Sequence, residues 1–281
     1  ELQAGYDGRL ELLDRLANEI PEDMKFVTQI TMEVAENPEY LKAMRRANII
    51  GVLIGIEAVT PEGLKSANKE WNSVGDELIE RLTAIRTQGP QFILGSLIFG
   101  LETDTPASLE YTKVFSRDCG MAMAQFVPMV PFPGTVDFAL LKRGKKVLKL
   151  KDPDYDYWLD PDHPRILYDH PNFESDDELL KKVDEAWEDF YSVSSILKRS
   201  RGFGYKQLKH HLAYFLVSRG LFTRYRRHGL SQDSAVRGNK KRRLAKMMGQ
   251  LTLKLLKAKP NGDTVDLAPK LNVPVAKRSA A

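Results

Sequence analysis

The stretch Gly51-Val52-Leu53-Ile54-Gly55-Ile56-Glu57, followed by Thr60-Pro61-Glu62 and Asn68-Lys69, decides how this chain is read. The run stays apolar without alternation until it meets a carboxylate, which is the pattern of a parallel strand covered on both faces. Thr60-Pro61 then supplies a side-chain cap and a proline at the first helical position, so a helix begins almost at once. Ligands on parallel α/β folds lie at the C-terminal ends of the strands. Glu57 stands at that rim, where a charge faces a ligand or, more plainly, caps the helix that follows. Phe92 to Gly100, followed by Thr105-Pro106, repeats the pattern.

Working outward, Lys25 to Met32 reads as a strand by its β-branched and aromatic content. Asn37-Pro38 opens a helix to about Ala47, a longer amphipathic helix covers Asp76 to Thr87, and Thr105-Pro106 starts one reaching Arg117. Ala124 to Val130 is a fourth strand, ended by Pro131-Phe132-Pro133-Gly134. Strands separated by helix-length segments predict βαβ units and a parallel sheet. Four strands cannot close a barrel. The expected fold is therefore α/β: a partial (β/α) barrel over residues 1–145, truncated at the N-terminus, with an α-helical C-terminal extension. A charged connector from about Lys142 leads into residues 146–200. There Tyr155 to Phe173 reads as an ordered loop and Asp176 to Lys198 as one helix capped by Ser175, both packing on the barrel. Residues 201–260 form a basic helical region, with helices over Tyr205 to Tyr225 and Asn239 to Lys257. Residues 261–281 read as a disordered tail.

The bulk numbers agree. A chain of 281 residues, 42% hydrophobic and 28% charged, has enough apolar material for one or two domains with a real core. The single cysteine, Cys119, excludes an internal disulfide framework and a cysteine-only metal cluster within the chain, and suits a reducing compartment. No apolar run reaches the roughly 18 residues of a membrane span, and no signal peptide is expected. The chain lacks a starting Met and opens into a helical segment, Leu10 to Ile20, so a natural N-terminus upstream is expected.

Further positions are candidates for a site. Lys69 follows Glu57 by one short helix and could reach the same ligand; a solvated lysine is the alternative. Gly95 and Gly100 flank Ser96 in the third strand. Glycine inside a strand marks close approach by a ligand or by packed neighbours, and Gly100 suits a turn. Gln29 shares a strand face with Thr31 by the period of two, as ligand contacts or as a hydrogen-bonded pair. Val130 belongs to a proline-rich strand exit whose carbonyls and apolar groups could hold an aromatic base.

These residues, in this order, resemble the radical S-adenosylmethionine (SAM) superfamily, in the branch whose complete members carry a cobalamin-binding domain. The resemblance rests on Gly55-Ile56-Glu57, Thr60-Pro61-Glu62, Asn68-Lys69, Gly95-Ser96-Leu97-Ile98-Phe99-Gly100-Leu101, Asp104-Thr105-Pro106 and Pro131-Phe132-Pro133-Gly134-Thr135. It covers about residues 10 to 145. It implies a partial barrel with SAM across the strand ends, chelating a 4Fe–4S cluster. It also implies radical functionalisation of an unreactive C–H site, such as methylation or rearrangement, on a small-molecule or lipid-like substrate, with cobalamin as an option of the branch. By position it implies SAM contacts for Glu57, Lys69, Ser96, Gln29, Gly95 and Val130. The family holds its cluster through Cys-x3-Cys-x2-Cys, and clusters need thiolates. Cys119 is alone and misplaced for that role, so the ligands are expected outside this chain, which on its own has no catalytic residue or metal ligand assigned.

Arg224 to Lys259 holds twelve Lys or Arg against one acid, Asp233, with leucines and methionines interleaved. A basic amphipathic helix over 239–257 suits peripheral contact with anionic lipid or a solvated helix packed on its neighbour. It has no aromatic residue to stack bases, so no specific nucleic acid is expected. The expected location is the cytoplasm or the inner membrane face. His210, His211 and His228 follow no metal spacing. The competing reading of the whole chain is a non-catalytic α/β module that docks a partner or membrane. An aldolase-like lyase would need a strand-end lysine or metal triad, and neither is found.

Overall fold

The computed structural model describes residues 2–132, 134–143, 166–203 and 207–230, with the side chains of 2–7, 141–142 and 224–230 outside that description. Four strands, β1 (Phe26–Ile30), β2 (Ile49–Glu57), β3 (Phe92–Phe99) and β4 (Met123–Pro128), form one sheet in the order β1-β2-β3-β4, parallel throughout. The expected α/β class and parallel sheet are therefore present. Helices fill the connections: α1 (Leu2–Glu19), a 3-10 turn (Met32–Glu36), α2 (Pro38–Arg46), α3 (Pro61–Ser66), α4 (Gly75–Gln88), α5 (Pro106–Asp118) and α6 (Val136–Arg143). Then come α7 (Asp176–Phe190), α8 (Val193–Gly202) and α9 (Leu208–Leu230).

Burial is one-sided, and this fixes what the sheet can do. Ile54 and Ile56 of β2, Ile93, Leu97 and Phe99 of β3, and Ala124 and Phe126 of β4 are buried. They share one core with Leu41 and Met44 of α2, Leu82 and Ile85 of α4, Phe115 of α5 and Val183 and Phe190 of α7. The alternate residues, such as Leu53, Ser96 and Gln125, are only half-buried on the opposite face. The caps read from the sequence are formed. Asn37, Thr60, Thr105 and Ser175 each accept from a first-turn backbone N–H, and Thr105 and Ser108 complete a reciprocal box.

Several elements differ from expectation. The first strand stops at Ile30, and Thr31 instead begins the 3-10 turn, so Gln29 and Thr31 do not share a strand face. The fourth strand ends at Pro128, because proline has no N–H to continue a ladder. A helix, α6, forms just after the proline-rich exit, over residues to which the sequence reading assigned no element. The helix expected over Asp176 to Lys198 is two helices: the Ser192 hydroxyl accepts from Ser195 N and caps a new start, α8. The next helix runs Leu208–Leu230 rather than Tyr205 to Tyr225. Residues 155–165 of the loop, the 239–257 helix and the tail lie outside the described residues.

The break after α7 has a use. The outer edge of β4 carries backbone groups that the sheet does not pair, and three aromatic side chains meet them. Trp187 Nε1 donates to Phe126 O (2.9 Å). The Tyr191 hydroxyl donates to Ala124 O (2.7 Å) and accepts from Ala124 N (3.1 Å). From α9, the Tyr214 hydroxyl donates to Ala122 O. At the other end of β3, a strap over Ile166 to Phe173 docks on the turn at Gly100, whose φ of +92° needs glycine. Tyr168 donates to Gly100 O, and His170 Nε2 donates to Leu101 O (2.7 Å) while its Nδ1 accepts from Asn172 N (3.2 Å). Asp104 closes the same turn, accepting from Gly100 N (2.8 Å) and Leu101 N (2.9 Å).

Two predictions follow from these contacts. Tyr191→Phe strands the buried Ala124 N–H and is expected to cost about 1–3 kcal/mol in denaturant unfolding; a cost near zero would remove the seal from the account of stability. Burial pushes the Asp104 carboxyl up to about 6, against the two backbone N–H bonds that pull it down. A raised acid favours the protonated folded state. Its contribution is full below its ordinary value of 3.8 and is lost as pH rises through about 6, some 3 kcal/mol in all. Urea midpoints between pH 4 and 7 should therefore fall more steeply for wild type than for Asp104→Asn, which keeps the acceptor and cannot titrate.

Candidate functional site

The site begins where β2 stops. Glu57 has φ +64°, a region non-glycine residues seldom occupy, and Ala58 N donates to Ile56 O (2.9 Å) across it. This is a strained three-residue turn with a carboxylate at its centre. The ladder to β3 slips at the same place: Gly55 opposes Ser96, but Glu57 opposes Leu97. At this slip Asn72 Nδ2 donates to the Gly55 and Ile56 carbonyls (3.1 and 3.3 Å), the second of which also accepts from Ala58 N. The Glu57 side chain then folds back over the sheet. A β-carbon added at Gly55 would lie 2.4 Å from Glu57 Oε1. A side chain at Gly55 would thus displace the carboxylate from its place over the strand.

Lys69 reaches this carboxylate through helix geometry. Helix α3 ends with Asn68 in the left-handed region (φ +51°), Lys69 N bonded to Leu64 O and Asn68 N to Lys65 O. This αL ending turns the chain back sharply. It brings Lys69 Nζ to 3.9 Å from Glu57 Oε1 and 5.4 Å from the centre of the exposed Trp71 ring. Asn72 N in turn donates to Lys69 O (2.8 Å), tying the loop to the strand end. Burial raises the Glu57 carboxyl above the ordinary carboxylate range, and the Lys69 charge pulls it partly back. At 3.9 Å, with Lys69 about a third exposed, the pair is loose and both groups keep capacity for a ligand.

Register places the other candidates. Gly55, Ser96 and Gln125 form one row across the open face, and Gln29, Leu53, Leu94 and Met123 form the row below. Glu57, Lys69 and Ser96 thus converge at the strand ends, with the Glu57 carboxylate resting on the residue paired with Ser96. Gln29 sits one row lower on the exposed first strand. Gly95 faces the helices: a β-carbon there would meet Met121 Sδ at 2.1 Å and Ile56 Cδ1 at 2.8 Å, so its bareness serves packing. Val130 lies two residues past the end of β4, half-exposed. Gln125 and Asn72 were missed from the sequence. Gln125 alternates with Phe126 in β4, but only the register reveals Ser96 as its neighbour.

The charge pattern suits a zwitterion, with an ammonium group on Glu57 and a carboxylate on Lys69. It does not suit a metal cluster. Cys119 is buried, donates to Ser116 O, and burial pushes its thiol up to about 12, so it is no thiolate. Among the described residues no group of three His, Cys, Asp or Glu side chains could hold a metal ion. No described helix is long and apolar enough to cross a membrane.

No family model matches the chain. Two curated proteins are similar to it. Hopanoid C-2 methylase of Rhodopseudomonas palustris (strain TIE-1) is 32% identical over 125 residues, 44% of this chain and 23% of that protein. Bacteriochlorophyllide d C-12(1)-methyltransferase of Chlorobaculum tepidum is 25% identical over 193 residues, 69% of this chain and 39% of that protein. The matched region thus spans well under half of either relative. Both names specify methyl transfer to a numbered position, so this chain is a distant homologue of methyl-transferring enzymes.

Because Lys69 lowers the Glu57 carboxyl, Lys69→Met should raise it further. A carboxyl-carbon NMR titration would show Glu57 protonating at higher pH in the variant; an unchanged or lower midpoint would mean that the two groups do not interact.

Proposed function

We propose that this chain is the SAM-holding part of a radical SAM methylase, with SAM lying across the ends of β2 and β3 in a partial (β/α) barrel. The observation that carries the proposal is the strained turn at Glu57. The strand end holds a carboxylate off its favoured backbone geometry, over a bare Gly55, within reach of Lys69. Strain of this kind survives where the surroundings impose it, and it clusters at ligand sites. The ordered motifs and the two methyl-transferring relatives support the same reading.

Each residue has a task in this scheme. Glu57 accepts from the ammonium of the methionyl group, and Lys69 pairs with its carboxylate. Asn72 holds both by fixing the turn and the loop. Ser96 bonds the ribose, with Gln29 one row lower on the same open face; Gly95 faces the helices and takes no part. Val130 offers an apolar contact to the adenine. When bound, SAM supplies the methyl group. The described residues do not fit a 4Fe–4S cluster, since their one thiol, Cys119, is buried and belongs to no group of three potential metal ligands. The acceptor is a carbon of a hydrocarbon-rich, lipid-like molecule, in keeping with the hopanoid named for one relative. Contact of the basic 239–257 segment with anionic lipid would bring the enzyme to such a substrate.

The test uses the complete gene product carrying these residues, reconstituted anaerobically with iron and sulfide and reduced with dithionite. Incubation with SAM is expected to yield 5′-deoxyadenosine by mass spectrometry, with S-adenosylhomocysteine in addition once a methyl acceptor is supplied, and with at least a tenfold loss in Glu57→Ala. Neither product from a cluster-loaded protein would overturn the proposal and leave the binding-module reading.

A further inference from the structure

The open face of the sheet changes character along the strands. Its upper end carries Glu57, Ser96 and Gln125. Below the Gly55–Ser96–Gln125 row it becomes apolar, with Leu53, Leu94 and Met123 side by side and Val27 at the edge strand. Helix α9 crosses beside this lower half, pinned by the Tyr214 hydroxyl on Ala122 O. Between helix and sheet lies a cleft of about 510 Å³, to which α9 contributes Ala213, Tyr214 and Val217. This volume is that of a site for a small organic molecule, roughly 300–1,000 Å³.

The lining states the chemistry of the occupant. Three lining side chains bear polar groups: Thr28, Gln29 and Tyr214. The Tyr214 hydroxyl is already engaged with Ala122 O and with Arg199 Nε (3.4 Å). A charged or strongly polar guest would lose its hydration and find almost nothing in return. A hydrocarbon guest loses nothing and gains the burial of its surface. Gln29, the polar residue shared by the cleft and the row beneath Ser96, marks the border between the two halves. From Leu53 to Glu57 is four residues, about 13 Å along a strand. A guest lying along the strands in the cleft therefore points one end at the polar rim.

We infer that this cleft is the subsite for the hydrocarbon skeleton of the substrate, an apolar ring system or chain seated beneath the Gly55–Ser96–Gln125 row. The assignment to a methyl acceptor rests on the SAM reading of the rim; the existence of the apolar site does not.

The experiment fills the cleft from two sides, with Met123→Trp on β4 and Val217→Trp on α9, in the same complete gene product. Titration with the fluorescent probe N-phenyl-1-naphthylamine is expected to show one saturable site, displaced by 1-adamantanol and not by adenosine. Each substitution should weaken the probe at least tenfold, while 5′-deoxyadenosine formation without substrate stays within twofold of wild type. If both variants keep native circular dichroism and melting and bind the probe within twofold of wild type, the cleft is not the site and the inference falls. It falls equally if wild type shows no saturable binding. If the probe behaves as expected but SAM is not processed, the SAM reading fails and takes the methyl-acceptor assignment with it, while the apolar site stands.

Discussion

One-sided burial of a parallel sheet is the constraint from which the rest of this structure follows. Helices α2, α4, α5 and α7 contribute to one core beneath the even-numbered residues of β2 and β4 and the odd-numbered residues of β3. That face is closed to ligands by packing. Gly95 shows how tightly: no β-carbon fits between Met121 and Ile56. Any chemistry must use the other face or the strand ends. The two coincide at Glu57, which ends β2 with its carboxylate over the open side. The edge of β4 is unavailable as well, since Trp187, Tyr191 and Tyr214 occupy its backbone groups.

Strain at Glu57 is sustained by its neighbours rather than by its own preferences. A left-handed residue is costly by about 1 kcal/mol or more for a side chain such as glutamate. Three local features offset it. The ladder slips between Gly55 and Glu57, so the strand need not stay straight. Asn72 donates to the Gly55 and Ile56 carbonyls beside the slip. Gly55 leaves room for the carboxylate to lie flat. Each of these comes from a short segment around α3, and the αL ending at Asn68 links them by carrying the chain back toward the strand. The motif residues Gly55, Glu57, Asn68 and Lys69 are thus one mechanical unit, which explains why they stand so close together in the chain.

The strands, the helix starts and the position of Glu57 were legible in the sequence because they depend on local chemistry. Apolar runs specify buried strands, and Thr-Pro or Asn-Pro pairs specify helix starts. What was illegible depends on partners far along the chain. Gln125 becomes a neighbour of Ser96 only through the β3–β4 register. Tyr191 interrupts an otherwise good helical pattern because Ser192 caps a new helix, and its hydroxyl then meets Ala124, 67 residues earlier. The turn at Glu57 was hidden for a different reason: an isolated positive φ at a non-glycine residue leaves no mark in composition or periodicity. Gly95 and Gly55 look alike in sequence, yet one relieves packing and the other seats a carboxylate.

The polarity gradient on the open face gives the site a direction. A zwitterionic ligand needs the Glu57–Lys69 end, where both charges are within reach and partly hydrated. A hydrocarbon needs the Leu53–Leu94–Met123 end, where few polar groups compete for it. The two demands cannot be exchanged without burying an unpaired charge or exposing apolar surface, and both are unfavourable. A molecule spanning the face must therefore lie with its polar end at the strand termini. This orientation follows from the register of four strands and the alternation of their side chains. A one-residue slip of β3 against β2 would move Ser96 and Leu94 to the helix side and erase the gradient. The space at Gly95 opposes such a slip, since Leu94 or Ser96 moved there would drive a β-carbon into Met121 and Ile56. The glycine that serves packing is in this sense also what keeps the polar and apolar halves of the open face in place.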